Sequence, residues 1–230
     1  MRTYKADRLD GPGKQYFENG VLQLENHYLN DEKSGVWKWY TKEGKLRELI
    51  TYDKNKKNGL NETYNPDGKV VSHTHYKNDQ KEGVVKEYDQ HTGMIREEGT
   101  LEAGKKTGVW TLYWPDGKVR EKKRYVFGKL DGKAERFYED GKLRESLVYT
   151  DGEKHGAASE YHSNGQLKVK GNYQRQTRTG TWEYFAEDGK IREKQNYNDR
   201  GDKHGEWITY YPGGNPKQRT TYDKGQNGSY

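Results

Sequence analysis

Two histidines at alternate positions offer the simplest arrangement for metal chemistry in this sequence. His73 and His75 are separated by one residue, so they would share one face of a β-strand, and imidazole is a common metal ligand. No further ligand stands at a comparable place in the neighbouring segments. His155 and His204 each precede a glycine at equivalent places, which indicates a role in loop structure. We therefore expect no metal site.

Residue patterns typical of catalytic sites do not occur. No glycine-rich segment has the spacing of a phosphate-binding loop ahead of a helix, and no serine lies in a nucleophile elbow. The acidic residues are plentiful, but none is placed in a way that indicates an acid–base pair. The sequence therefore predicts a protein that is not an enzyme, with no catalytic residues and no cofactor.

Two features could bind a ligand without catalysis. The stretch Lys118–Lys129 (KVREKKRYVFGK) concentrates positive charge that could bind phosphate groups of a lipid or a nucleic acid. A series of tryptophans could stack on sugars; it comprises Trp37, Trp110, Trp182 and Trp207. The alternatives are a solvated basic strand in the first case and packing between repeats in the second.

Charge and composition limit the class of partner. The 230 residues include 42 basic and 36 acidic side chains, so the net charge is +6, and the two signs are interspersed. A nucleic-acid-binding surface is strongly one-signed, so we expect no nucleic-acid partner. Hydrophobic residues make up only 29% of the chain and charged residues 34%, a balance typical of disorder. A regular repeat of glycine and aromatic residues, however, indicates a folded chain.

Composition also bears on the compartment. The chain has no cysteine, which fits a reducing cytoplasm. Residues Met1–Leu9 include no apolar run of the kind that a signal peptide needs, and no stretch has the length of a membrane span. The sequence therefore predicts a cytoplasmic protein, although a leader removed earlier would leave no trace.

A glycine recurs nine times at a spacing of 24 residues, stretched twice to 25. An aromatic residue follows each of these anchor glycines by five positions, for example Tyr40 after Gly35. The anchor glycines are Gly11, Gly35, Gly59, Gly83, Gly108, Gly132, Gly156, Gly180 and Gly205. Such a register indicates a tandem array in which each repeat packs only against its neighbours.

A second glycine stands nine residues after each anchor, or ten after Gly83, and usually follows Asp or Asn. Asn-Gly and Asp-Gly favour tight hairpin turns. Each repeat is therefore predicted to be a strand, a tight turn, a second strand and a longer loop such as DKNKKNG. The anchor glycine and the turn glycine would then mark the two ends of the first strand.

The second strand carries an aliphatic residue and, six positions later, a tyrosine, as in Leu46 and Tyr52. This even spacing predicts that both lie on one face. The first strand leaves two alternatives, because Trp37 and Tyr40 are three residues apart. Either both faces carry aromatic cover, or a bulge shifts the phase.

The predicted fold is all-β, with tandem hairpins forming an elongated, twisted, single-layer antiparallel sheet. Both one-residue insertions fall in predicted turns, within Asp89–Gly93 and Asn198–Gly205. The predicted division is a lead-in at residues 1–10, nine repeats at 11–224 and a tail at 225–230. Pro216 replaces the aliphatic residue of the last repeat, which favours an edge strand and a C-terminal cap.

The repeat resembles a known family. The pattern Y-x-x-D-G-K-L-x-E-x-x-x-Y-x-x-G-K-K-x-G-x-W, best matched at Tyr113–Tyr125 and Phe185–Trp207, resembles the MORN-variant repeat over nearly the whole chain. Bacterial arrays of this kind are often named YwqK-type antitoxins, which are thought to bind a toxin. The resemblance implies a bacterial protein-binding array without catalytic residues. Departures from the repeat occur at Asn61, Val85, Leu101 and Pro216.

Three functions compete. The first is a protein-interaction array, either an immunity-like antitoxin or an assembly scaffold. The second is a binder of anionic lipid at a membrane surface, and the third a binder of cell-envelope glycans. For a protein partner, Trp39 and Trp114 are the leading contact candidates because they break the repeat. The full candidate set is Trp39, Trp114, Trp37, Trp110, Arg124 and Lys123. The oligomeric state stays open.

Overall fold

The computed structural model describes residues 2–223 and the strand at 226–227, and in this part of the chain it contains strands and no helix. The strands are β1 (Tyr4–Lys5), β2 (Arg8–Leu9), β3 (Gly11–Tyr16), β4 (Leu22–Leu29), β5 (Glu32–Lys33), β6 (Gly35–Tyr40), β7 (Leu46–Asp53), β8 (Lys56–Tyr64), β9 (Val70–Lys77), β10 (Gln80–Tyr88), β11 (Ile95–Glu102), β12 (Lys105–Tyr113), β13 (Val119–Val126), β14 (Lys129–Phe137), β15 (Leu143–Thr150), β16 (Glu153–Tyr161), β17 (Leu167–Gln174), β18 (Thr177–Phe185), β19 (Ile191–Tyr197), β20 (Gly205–Tyr210), β21 (Pro216–Asp223) and β22 (Gln226–Asn227). The all-β fold and the antiparallel hairpin repeats are confirmed.

The chain divides into two compact units, residues 1–117 and 118–230. In the first unit, β3 pairs with β4, β4 pairs with both β5 and β6, and antiparallel pairing then passes from each strand to the next between β6 and β12. In the second unit, the same consecutive pairing runs from β13 to β22. Each unit is therefore built by adding hairpins in chain order.

The ends of the described chain extend this pattern. The predicted lead-in holds β1 and β2, which pair across a two-residue turn at Ala6 and Asp7. Pro216 is the first residue of β21 and pairs with Tyr210. Of the predicted tail at 225–230, only β22 falls within the described residues, and it pairs with β21.

The glycine-containing turn is a three-residue turn. In the hairpin of β8 and β9, Asn65 N donates to Lys69 O at 2.9 Å and Gly68 N to Asn65 O at 2.9 Å. Gly68 has φ of +82°, whereas Asp67 is not among the residues with positive φ. This is the type I turn followed by a left-handed residue that three-residue hairpins prefer. The predicted tight turn is confirmed, and only its glycine adopts the left-handed region.

The predicted long loop is instead a two-residue turn. Between β7 and β8, Lys54 and Asn55 have φ of +47° and +67°, as a type I′ turn requires, and the strand resumes at Lys56. Asn55 is also tied to the preceding turn, because Lys33 N donates to its Oδ1 at 2.8 Å and its own N–H to Lys33 O at 3.1 Å. The turn of one hairpin is thus hydrogen-bonded to the short strand β5 that follows the turn of the preceding hairpin.

The anchor glycine lies at a bulge, and in six strands it is interior. The pairs Ile50↔Asn61 and Tyr52↔Lys57 leave three residues of β8, including Gly59, opposite one residue of β7. Gly59 has φ of +116°, a conformation that side chains rarely adopt. The prediction that the two glycines mark both ends of a strand is therefore wrong for β8, β10, β12, β14, β16 and β18. It holds for β3, β6 and β20.

Both faces of the sheet carry aromatic side chains, the first of the two alternatives. Trp37 contacts the ring of Tyr52, with centroids 5.4 Å apart. Tyr40 points to the other face, where its hydroxyl donates to Glu25 Oε2 at 2.9 Å. We name the first the tryptophan face and the second the opposite face.

The predicted alignment of Leu46 with Tyr52 is wrong. Trp39 pairs with Glu48, but the next residue, Tyr40, pairs with Leu46. Arg47 is left without a partner in the ladder, so β7 carries a bulge next to its turn. Leu46 therefore pairs with Tyr40 on the opposite face, while Tyr52 lies on the tryptophan face.

Both predicted insertions lie in turns. Gly93 N donates to Asp89 O at 2.8 Å, which closes a turn one residue longer than that of Gly68. Asn198 N donates to Asp202 O at 3.0 Å, so a three-residue turn replaces the usual two-residue turn. Insertion at a turn leaves the strand register intact.

Candidate functional site: a pocket beside the tryptophan row

Tryptophans form the centre of the packing on the tryptophan face. Trp37 is only 4% exposed and lies between Tyr28 and Tyr52, with ring centroids 5.2 and 5.4 Å from its own. Lys33 Nζ lies 4.9 Å from the Trp37 ring centroid and 5.0 Å from that of Tyr52. A lysine sandwiched in this way buries its stem and gains a cation–π contact.

A glycine on the preceding strand makes room for two of the tryptophans. Trp182 lies over Gly171, and a Cβ built on that glycine would be 2.2 Å from Trp182 Cδ2. Trp110 lies over Gly99 in the same way, also at 2.2 Å. Neither glycine belongs to the repeating glycine series, and sequence reasoning missed both. A glycine inside a strand is the signal that marks a close approach of this kind.

At three other positions of the series, a residue smaller than tryptophan is paired with a residue larger than glycine on the preceding strand. Ile50 pairs with Asn61, and Leu147 pairs with Ala158. Thr74 pairs in the same way with Val85. Exchange of volume between neighbouring strands keeps the layer filled. Packing against a glycine therefore accounts for Trp110 and Trp182, whereas Trp37 is accommodated beside Ile50 without one.

At Ala158 this compensation is incomplete, and a pocket of about 310 Å³ opens on the tryptophan face of the second unit. Its apolar floor consists of Leu147, Ala158 and Val169, and its aromatic wall consists of Tyr173, Trp182 and Tyr184. Leu147, Ala158 and Trp182 are themselves buried and pack together. We call this cavity the Ala158 pocket.

Charged groups form the rim of the Ala158 pocket. Lys154 Nζ lies 5.1 Å from the Tyr173 ring centroid, and Arg178 lies 4.4 Å from that of Trp182. Lys168 forms an ion pair with Glu160 at 2.7 Å. An apolar floor with aromatic walls and a charged rim is the usual composition of a binding pocket.

One polar atom on the pocket wall is unusual. The indole N–H groups of Trp37, Trp110 and Trp207 donate to backbone carbonyl oxygens at 3.1, 3.1 and 2.8 Å. The indole nitrogen of Trp182 is buried and has no acceptor among the described residues. A buried donor without an acceptor raises the free energy of the folded state. The indole N–H group on the wall of the Ala158 pocket therefore lacks the hydrogen bond that the other three indoles make.

The structure separates the six candidate contact residues. Trp37 and Trp110 are each 4% exposed, so their side chains are not available at the surface. Trp39 is half-buried and rests on Trp37, with ring centroids 5.7 Å apart. Trp114 is half-buried at the start of a turn, where Gly117 N donates to its carbonyl oxygen at 2.9 Å.

The basic candidates are engaged with acidic groups. Lys123 Nζ lies 2.9 Å from Glu121 Oε1, and exposed Arg124 lies 3.9 Å from Asp131 Oδ1. Burial alone would raise the pKa of Glu121, but hydrogen bonds from Lys123 and Arg136 bring it below its usual range. These pairs favour the solvated-strand interpretation of Lys118–Lys129 over a phosphate site.

The histidine pair lies on the opposite face. The rings of His73 and His75 are 5.2 Å apart, and His73 Nδ1 lies 3.1 Å from Glu62 Oε1. Among the residues that the structure describes, no group of three or more acidic or histidine side chains is placed to hold a metal ion.

Tyrosine–glutamate pairs recur on the opposite face. Tyr40, Tyr64 and Tyr113 donate their hydroxyl protons to Glu25, Glu62 and Glu98. Burial, followed by the hydrogen bond to the carboxylate, raises the pKa of each tyrosine to about 12. The hydrogen bond from Tyr40 lowers the pKa of Glu25.

A titration tests these pairs. Because the folded pKa of the three phenols is raised from 10.0 to about 12, their stabilisation is complete below pH 10 and is lost as the pH rises through 12. We expect phenolate absorbance to show a step near pH 12 that Tyr40→Phe reduces. The control Tyr16→Phe, which removes an exposed tyrosine, should leave that step unchanged. A step equally large in Tyr40→Phe would contradict the assignment.

The described residues contain no helix long and apolar enough to cross a membrane.

Comparison with solved structures gives remote similarity. The chain is 18% identical to TarM over 44% of this chain and 19% of TarM, with a TM-score of 0.29. It is 13% identical to a TcdB2–TccC3 structure over 98% of this chain and 13% of that one, with a TM-score of 0.23. The Tc holotoxin pore of Photorhabdus luminescens is 14% identical over 89% of this chain and 12% of that one, with a TM-score of 0.23. The chain thus spans less than a fifth of each structure. No curated protein matches it.

The family comparison is specific. The model described as MORN repeat variant matches eight segments, which together make up well over half of the chain: residues 9–30, 33–54, 57–78, 106–126, 130–151, 154–175, 178–199 and 203–224. Between residues 78 and 106 no segment matches, yet β10 and β11 pair there as a hairpin of the same kind. That hairpin carries Val85 and Leu101 in place of the usual aromatics and contains the first insertion. Repeat spacing, hairpin geometry and matched segments agree, and the chain belongs to the MORN repeat variant family.

Proposed function

We propose that this chain is a non-catalytic, protein-binding repeat array that acts in the cytoplasm as an antitoxin or as an assembly scaffold. The observation that carries the proposal is a row of exposed apolar side chains on the opposite face of the first unit. Val36, Val84 and Val109 each follow an anchor glycine and are 45%, 43% and 55% exposed. Contiguous exposed apolar residues on a soluble protein are typical of interaction surfaces.

The row continues between the valines. Cross-strand pairing places Thr51 beside Val36 and Thr100 beside Val84, and it places His75 beside half-buried Leu60. Because paired residues share a face, these side chains extend across the sheet of the first unit. Apolar and neutral hydrogen-bonding groups thus form the row, and the ion pair of Lys86 with Glu98 borders it at 3.4 Å, as charged residues border the apolar centre of a protein interface.

Equivalent positions in the second unit have a different character. The residues after its anchor glycines are Lys133, Ala157, Thr181 and Glu206. Building the hairpin does not require an apolar residue there, since the second unit forms the same pairs without one. The valines of the first unit are therefore free to serve binding.

The lipid and glycan alternatives receive less support. The candidate basic residues are paired with acidic groups, which weakens the case for a phosphate-binding patch. Burial of Trp37, Trp110 and Trp182 leaves no exposed ladder of those three rings for sugar stacking.

A triple substitution tests the proposal. Val36, Val84 and Val109 are each replaced by Lys, and the tagged variant and the natural protein are used to capture partners from the source cell. Loss of an interface core of this kind costs several kcal/mol, so we expect at least roughly tenfold weaker binding of any stoichiometric partner. Since the three side chains are exposed, the thermal unfolding midpoint should stay nearly unchanged.

The control places two lysines on the second unit and is compared with the matching double variant Val36→Lys and Val84→Lys. Ala157→Lys and Thr181→Lys alter the equivalent positions of the second unit and should leave capture unchanged. No stoichiometric protein partner of the natural protein, or equal capture by the triple variant, would count against the proposal.

A further inference from the structure

The repeat itself indicates which chemical group the Ala158 pocket accepts. Five repeats earlier, the positions of Lys154, Ala158 and Tyr173 are occupied by Lys33, Trp37 and Tyr52. There the lysine covers both the tryptophan and the tyrosine ring, at 4.9 and 5.0 Å. Lysine, indole and phenol form one packed cluster, in which the two rings meet at an interplanar angle of 64°.

The same cluster recurs two repeats after the pocket. Lys203 Nζ lies 4.5 Å from the Trp207 ring centroid and 4.9 Å from that of Tyr222, and the two rings are 5.3 Å apart. Two independent copies therefore place an aromatic ring beside the lysine and against the tyrosine. Lysine, tryptophan and tyrosine side chains therefore pack together well at these three positions of the repeat.

At the pocket the cluster is incomplete. Lys154 still covers Tyr173 at 5.1 Å, but the position of the indole is occupied by the methyl group of Ala158. Leu147 replaces only part of the missing volume, and the cavity of about 310 Å³ remains. Val169 and Trp182 extend its apolar and aromatic lining, so a ring placed there would lose water from both faces.

We propose that the Ala158 pocket binds an aromatic side chain of a partner polypeptide, which completes the lysine–aromatic–tyrosine cluster from outside the chain. A polypeptide occupant rests on the proposed protein-binding function. The half-open pocket leaves room for the ring to remain attached to a backbone, and the rim offers Glu160, Lys168 and Arg178 to that backbone. Aromatic anchors inserted into pockets are common centres of protein interfaces.

A titration of the isolated protein, followed by NMR, measures binding in the pocket directly. N-acetyl-tryptophanamide is added to protein labelled at the alanine methyl groups, and N-acetyl-leucinamide serves as the non-aromatic comparison. We expect a saturable upfield shift of the Ala158 methyl resonance, because an aromatic ring against it produces a ring current. No shift with tryptophanamide, or an equal saturable response to leucinamide, would overturn the inference.

Two variants locate the binding. Lys154→Met removes the cation and should weaken tryptophanamide binding by about three- to tenfold, the size expected for a cation–π contact. The matched control Lys57→Met removes a similar contact with Tyr76, at 5.2 Å, in the first unit and should have no effect.

The double variant Leu147→Gly with Ala158→Trp fills the pocket from within the chain. It rebuilds the glycine–tryptophan pair of Gly171 and Trp182 and should abolish binding. If this double variant does not fold, Lys154→Met still decides, because unchanged binding would contradict the proposal.

A displayed library of random peptides tests the polypeptide occupant. Peptides selected on the natural protein should be enriched in Trp, Tyr or Phe, and Lys154→Met should reduce their binding. Enriched peptides without aromatic residues, or equal binding to Lys154→Met, would refute the polypeptide occupant. Neither experiment depends on partner capture. A failed pocket titration therefore leaves the proposed function standing, and failed capture leaves the pocket result standing.

Discussion

Replacing Trp37 by Ala should lower the free energy of unfolding of the first unit by about 3–5 kcal/mol, the range for deletion of a buried aromatic side chain. The indole is 4% exposed, contacts Tyr28 and Tyr52, and donates a hydrogen bond to His27 O at 3.1 Å. A cavity of its size cannot be closed in a sheet whose backbone is fixed by pairing on both sides. Denaturant unfolding followed by circular dichroism measures the change.

The neighbouring tryptophan provides the comparison. Trp39 is half-buried and stacks on Trp37, so Trp39→Ala should cost less stability. If Trp37 were instead a partner contact, Trp37→Ala would weaken partner capture while the protein stayed as stable as before. That outcome would contradict the packing role assigned to Trp37.

Replacing Gly171 by Ala should destabilise the second unit by about 1–3 kcal/mol, as overpacking of a filled layer does. The added Cβ would lie 2.2 Å from Trp182 Cδ2, and the indole cannot yield as the end of a flexible side chain could. Gly171 is not among the residues with positive φ, so the effect comes from contact and not from backbone strain. Thermal and denaturant unfolding measure it.

Two controls isolate the contact. Gly213→Ala adds the same methyl group where nothing lies within 4 Å and should change stability little. In a Trp182→Ala background, Gly171→Ala should cost far less, because the side chain that it strikes has been removed. Equal costs in both backgrounds would assign the effect to the strand and not to the indole.

Much of the fold could be predicted because the repeat is encoded locally. The glycine and tyrosine series reflects backbone and side-chain requirements that each hairpin meets by itself, and both insertions fall in turns as predicted. Turn types were harder to predict. Lys54 and Asn55 adopt the left-handed region in a two-residue turn, although their sequence is typical of a loop. Pairing of the flanking strands imposes that conformation.

The candidate site could not be predicted, because it depends on neighbours across the sheet. At Trp110 and Trp182 a glycine on the adjacent strand makes room for the indole, and a bulge at the anchor glycine sets the register that brings the two residues together. Gly171 admits Trp182, whereas Leu147 is paired with Ala158. Without that register, Trp37 and Trp110 are candidates for partner binding, and nothing singles out Ala158.

The sequence by itself determined the repeat, the antiparallel hairpins, the positions of the insertions and the recurring aromatic positions. Each of these depends on residues that are near one another in the chain. Tertiary structure alone decided which aromatics are buried, which valines are exposed and where the layer is underfilled. Those properties depend on the volumes of side chains that meet only after the strands pair, and no single repeat contains them.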